Sequence, residues 1–168
     1  MEWLTGTDAY IWLTETFFGR TLATFLVSMI PVVELRGAIP LGVSLGLNHI
    51  QSMLTSCIGN MVPVPFVILF ARQLIDWMKK KSERLSSFAK RLEERAYSKR
   101  DIIKKWQLFG LVILVAIPLP GTGAWTGALV AAVLNLRKRV AIPAILLGVI
   151  IAGVLVTGIT FGFTSILN

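Results

Sequence analysis

Four apolar stretches, at 21–47, 50–75, 108–136 and 140–167, constrain this chain more than any other feature. Each exceeds the ~20 residues with which a helix crosses a hydrocarbon layer about 30 Å thick. A soluble domain of 168 residues has no use for four of them. With 55% hydrophobic and only 15% charged residues, and a mean hydropathy of +0.73, the sequence specifies an all-α integral membrane protein.

The net charge of +8 does not point to nucleic acid, because of where it lies. Of the 17 Lys and Arg, 11 fall in 76–107, and three more form Arg137-Lys138-Arg139. Clusters beside apolar segments mark the cytoplasmic side and suit anionic phospholipid headgroups. The start, "MEWLTGTDAY", lacks the basic region of an ordinary signal peptide. Cys57 stands alone, which excludes an intrachain disulfide and a cysteine metal set, and leaves it as a packing residue. His49, at a break between apolar segments, reads as a loop histidine.

If 76–107 is cytoplasmic, 50–75 runs from outside to inside. The stretch 108–136 then lies between two basic clusters and fits a hairpin that enters and leaves on the cytoplasmic side. Its arms, 108–117 and 124–136, are about 15 and 20 Å long and neither spans alone. "IPLPGTG" (117–123) breaks the helix at Pro118 and Pro120. The stretch 21–47 has the same form, with its break expected at "ELRGAIP", around Gly37 and Pro40. "AIPLG" (38–42) recurs as "AIPLPG" (116–121), and each hairpin precedes a proline-bearing span. The expected fold is therefore an inverted repeat of two re-entrant helical hairpins, each followed by a transmembrane helix. The first repeat covers 1–75, with hairpin 21–47 and span 50–75. A basic linker covers 76–107. The second repeat covers 108–168, with hairpin 108–136 and span 140–167. Paired discontinuous segments of this kind point to a transporter's midplane site.

"PVVELRGAIPLGV" (31–43), "GNMVPVPF" (59–66) and "IPLPGTGAWTGAL" (117–129) resemble the small multidrug export protein family, a branch of the DedA superfamily. The resemblance covers essentially the whole chain. It implies two re-entrant hairpins meeting mid-membrane, the plasma membrane of a prokaryote, and transport of an anionic lipid such as undecaprenyl phosphate. DedA members carry an acid and an arginine in the first hairpin, matched by Glu34 and Arg36. They also carry arginines in or just after the second, where this sequence has none.

A charge at the bilayer centre costs about 2.5–3.5 kcal/mol on an insertion scale, so Glu34 and Arg36 mark function by default. Two apart on a helix, they point roughly 200° from each other. Either the backbone unwinds from about residue 34, or each finds a separate partner. Irregular backbone at membrane depth must be buried in protein or line a wet cavity. Arg36 has the planar forked donors that grip phosphate. Glu34, whose charged form desolvation disfavours, suits proton exchange as substrate binds or leaves. A Glu–Arg bridge that only locks the hairpin is the structural alternative. In the second tip, Gly121 and Gly123 can turn N–H groups inward before a helix starting near Ala124, and Thr122 adds a hydroxyl, so the tip can hold an anion without arginines. A plain tight turn is the competing reading.

Asn60 either reaches the same cavity or hydrogen-bonds between helices. Trp3, Trp12, Trp77 and Trp106 flank apolar segments at interfacial depths, and Trp125 sits beside the second tip. Met78, Leu85, Phe88, Leu92 and Ala96 make the linker an amphipathic helix that lies on the headgroups or covers the second hairpin, and 9–20 resembles a surface helix on the other side. No nucleotide loop, metal set or nucleophile constellation is present, so the expectation is a non-enzymatic transporter without cofactor. It moves a phosphate-headed polyprenyl lipid held between the tips, with proton coupling through Glu34. A homodimer is expected from the small number of spans. The alternatives are an exporter of small cationic drugs with Glu34 as counter-ion, and a membrane scaffold acting through the basic linker.

Overall fold

The computed structural model describes residue 12 and residues 14–98, 107–117 and 122–167. Every regular element among them is a helix. The first, α1 (Phe17–Ser28), starts on Thr16, whose Oγ1 accepts from the Gly19 N–H at 3.0 Å and satisfies one unpaired amide of the first turn. It ends shortly before Pro31, which has no N–H to continue a helix and disfavours helical backbone at Ile30. The chain turns over residues 29–33 and resumes as α2 (Glu34–Ser44).

This break lies earlier than the sequence suggests. Gly37 and Pro40 do not break the hairpin; both sit inside α2. Pro31 stops the chain first, and Glu34 completes the turn with a φ of 51°. Pro40 only withholds the N–H that would bond the Arg36 carbonyl. A proline there costs about 3 kcal/mol, which burial of Leu35, Ala38 and Ile39 offsets.

At its far end α2 closes on Gly46, φ 94°. The Gly46 N–H donates to the Val43 carbonyl and the Leu47 N–H to the Gly42 carbonyl, both at 2.9 Å. This is a Schellman closure, with buried Leu47 as its apolar plug. The continuing chain forms α3 (His49–Met61) and, after a joint at Val62, α4 (Pro63–Lys81). Together His49–Lys81 is 33 residues, about 50 Å, apolar and long enough to cross a membrane.

The basic helix α5 (Glu83–Tyr97) packs on α4 and on α7 (Ala124–Val133), so it covers an arm of the second hairpin. Its small Ala89 and Ala96 face inward, and Phe88, expected on the apolar stripe, is exposed. Lys79 pairs with Glu93 at 2.6 Å across the α4–α5 corner. The other arm is α6 (Gln107–Ala116). α7 closes as α2 does. Asn135 (φ 55°) donates to Ala132 at 3.2 Å, and Leu136 donates to Ala131 at 2.9 Å. The 30-residue α8 (Lys138–Leu167) follows, and Lys138–Phe163 is the second candidate span.

The four apolar stretches thus become two long helices and two pairs of short arms. With 12, 11, 10 and 10 residues, the arms are about 15–18 Å long and cannot cross a 30 Å layer. The repeated "AIPLG" letters fall at unlike places: 38–42 lie in the second arm of one hairpin, whereas Ala116 ends the first arm of the other. The equivalent places are Leu45-Gly46-Leu47 and Leu134-Asn135-Leu136, the two Schellman closures.

Contacts divide the chain into two units, Met1–Asn60 with Ala152–Asn168, and Met61–Ile151. In the first, small residues let backbones approach. Gly42 meets Thr24 and Ser52, and Gly59 meets Phe25 and Ser28. Ser52 Oγ donates to the Ile39 carbonyl at 2.7 Å. Gly153 lies against Cys57 and Met53, while Phe161 meets His49 edge-on at 5.3 Å, so this end of α8 runs antiparallel to α3. In the second unit, Gly127 and Gly148 both receive Val115.

Candidate functional site

The first unit contains a groove of about 450 Å³ between α2 and the C-terminal part of α8. On α2, Arg36, Pro40, Val43 and Ser44 form one face at helical spacing; on α8, Val156, Ile159, Thr160 and Phe163 do the same. Ser44 Oγ donates to the Leu41 carbonyl at 2.7 Å and Thr160 Oγ1 to the Val156 carbonyl at 2.8 Å. Both hydroxyl protons are thus directed at their own helices. Among the described lining residues Arg36 alone is charged, at the end of the groove nearest the hairpin break.

Glu34 is not in that lining. It is 4% exposed, and its left-handed backbone (φ 51°) frees its direction from the helical spacing that Arg36 follows. The break around it is sorted by polarity in an unusual sense. Val32 is 92% exposed and Ile30 and Pro31 also face outward, whereas the carboxylate is buried.

Asn60 is fully buried on α3, away from the groove. Neither its Oδ1 nor its Nδ2 has a hydrogen-bond partner, and the same holds for Ser56 Oγ one turn earlier. Of the two alternatives for Asn60, the interhelical bond is therefore not made. Ser28 on α1, which lies against the neighbouring Gly59, donates to its own Phe25 carbonyl at 2.7 Å. Each unsatisfied group costs about 1–3 kcal/mol.

At the second tip, Thr122 Oγ1 donates to the Ile117 carbonyl at 2.7 Å. Gly123 takes φ 128°, ψ −170°, a conformation open essentially only to glycine, and caps α7 without a side chain. Gly123 and Ala124 are buried and Trp125 is half-buried. Pro118, Pro120 and Gly121 lie outside the described residues, as do Trp3 and Trp106. Trp12 and Trp77 are exposed, as residues flanking apolar segments should be.

Sequence reasoning missed Val156, Ile159 and Phe163. Inside a wholly apolar span nothing local distinguishes a groove wall from a lipid-facing side. Among the described residues no group of three or more His, Cys, Asp and Glu could hold a metal.

Two long apolar helices and two short-armed hairpins define a helical membrane protein. The chain belongs to the family described as "Putative small multi-drug export protein", which matches residues 34–155. No curated protein and no solved structure matches it.

Proposed function

We propose that the protein is a membrane carrier for an anionic amphiphile, gripped by Arg36 and seated along the α2–α8 groove. One observation carries this: among the groove's described lining residues Arg36 brings the one charge, and beside it stand apolar side chains and two hydroxyls, Ser44 and Thr160, that donate to their own helices. A forked cation recognises a phosphate or carboxylate, and Pro40, Val43, Val156, Ile159 and Phe163 accept a hydrocarbon chain. A phosphate-headed polyprenyl lipid such as undecaprenyl phosphate has both parts. In this reading the basic side of the membrane is cytoplasmic, the two hairpins enter from opposite faces, Glu34 exchanges a proton during the cycle, and the carrier works as a homodimer in a prokaryotic plasma membrane.

The test is flux of a labelled polyprenyl phosphate into liposomes carrying the purified protein, with and without a pH gradient. Arg36→Ala should abolish flux, and Glu34→Gln should leave it insensitive to the gradient. Flux indifferent to Arg36→Ala defeats the proposal. The family's description supports a second reading, export of small cationic compounds with Glu34 as counter-ion. There Glu34→Gln stops efflux of a cationic dye and Arg36→Ala spares it.

A further inference from the structure

The second unit holds a pocket of about 270 Å³ that the carrier reading does not use. One wall is a face of α4, with Leu69, Arg72 and Asp76 on successive turns. The other is the Asn135–Leu136 closure of α7 with Lys138 at the start of α8. The pocket therefore holds two cations and one acid above an apolar floor. Arg72 and Asp76 stand at i and i+4, in the less favourable order for a helical ion pair. Among the described residues neither they nor Lys138 engage in an ion pair or side-chain hydrogen bond. Charges of both signs thus face one small space without neutralising each other.

The placement fits a lipid. Arg72 lies toward the basic end of the apolar helix 49–81, and Lys138 begins the apolar α8, so the pocket sits where the apolar band meets charge. Headgroups occupy that depth. Leu69, in the pocket's lining, is 44% exposed and offers apolar surface beside the charges.

We propose that this pocket binds a phosphoethanolamine group, held as a fixed lipid and not as transported cargo. The phosphate oxygens meet the Arg72 guanidinium and the Lys138 ammonium, the ligand's ammonium meets the Asp76 carboxylate, and the glycerol end rests on Leu69 and Leu136. A phosphoglycerol head offers no cation to Asp76. A phosphocholine head brings a cation that cannot donate a hydrogen bond. The inference is independent of the groove's cargo.

Native mass spectrometry of the full-length protein, exchanged into detergent with defined lipids, tests it. Phosphatidylethanolamine should be retained about fivefold over phosphatidylglycerol and phosphatidylcholine, the worth of one favourable exposed ion pair. Asp76→Asn should erase the preference over phosphatidylglycerol while leaving total lipid retention. Arg72→Gln with Lys138→Gln should lose both lipids. All three side chains are exposed, so the variants should fold, which thermal unfolding would verify. Added O-phosphoethanolamine and inorganic phosphate separate the sources. Displacement of lipid by O-phosphoethanolamine but not by phosphate upholds the headgroup chemistry and admits a soluble donor. Retention that ignores headgroup, or a preference untouched by Asp76→Asn, overturns the proposal.

Discussion

The two hairpins share a plan and differ in chemistry. Each has two arms of 10–12 residues, a break, and a Schellman closure leading into a long helix. The first carries a buried acid and a groove-lining arginine, and forces a left-handed backbone on Glu34, a residue that gains nothing from it. The second carries no charge at its break and puts its unusual backbone on Gly123, where it costs little. Backbone strain at a charged position is a mark of function when the surroundings hold it in place. Under the carrier reading proposed above, the first hairpin handles cargo and the second is closer to scaffold.

The comparison can be broken outright. With Cys57 replaced by Ser, single cysteines at positions 48 and 137 should react with an impermeant thiol reagent from opposite sides of a sealed vesicle. Reaction of both from one side removes the inverted relation. Next in size, Arg36→Ala should lower carrier flux at least tenfold, since charge-assisted hydrogen bonds contribute about 1.5–3 kcal/mol. Thr122→Ala in the other hairpin should change it less than threefold. Equal losses would make both tips cargo sites.

Packing offers a smaller contrast. A side chain at Gly59 would run into the Phe25 backbone and Ser28, so Gly59→Val should destabilise by about 3 kcal/mol in a denaturant titration in detergent. A Cβ at Gly127 would press the Val115 side chain at 2.6 Å and touch Ile145 at 3.5 Å, side chains and not backbone. Gly127→Ala should cost about 1 kcal/mol. Smallest of all, Gly46→Asn should cost less than Gly46→Val, which should lose about 1–2 kcal/mol: Asn tolerates positive φ, as at Asn135, and either side chain must displace the end of Arg20.

Much of the architecture was legible because it follows from hydrocarbon thickness and proline chemistry. Stretches containing Pro118 and Pro120, or Pro31 and Pro40, cannot be unbroken helices, and the short arms followed. The position of the first break was not legible. Of two prolines the one at 31 acts, and nothing in a glutamate announces a positive φ. Asn135 did carry a signal, since Asn and Gly commonly take that conformation, and "LGL" and "LNL" are a truer repeat than "AIPLG". The groove was hidden because it joins α2 to a helix more than a hundred residues away in sequence. Only packing decides which face of an apolar helix meets protein.

Val32 has a consequence of its own. A loop made for water hides its valines and displays its glutamates; the turn at 29–33 does the opposite. Such a turn is comfortable only against fatty chains or a greasy cargo, and becomes adhesive once stripped of them. Harsh delipidation should clump the protein from this point first, and a serine at position 32 should keep it dispersed.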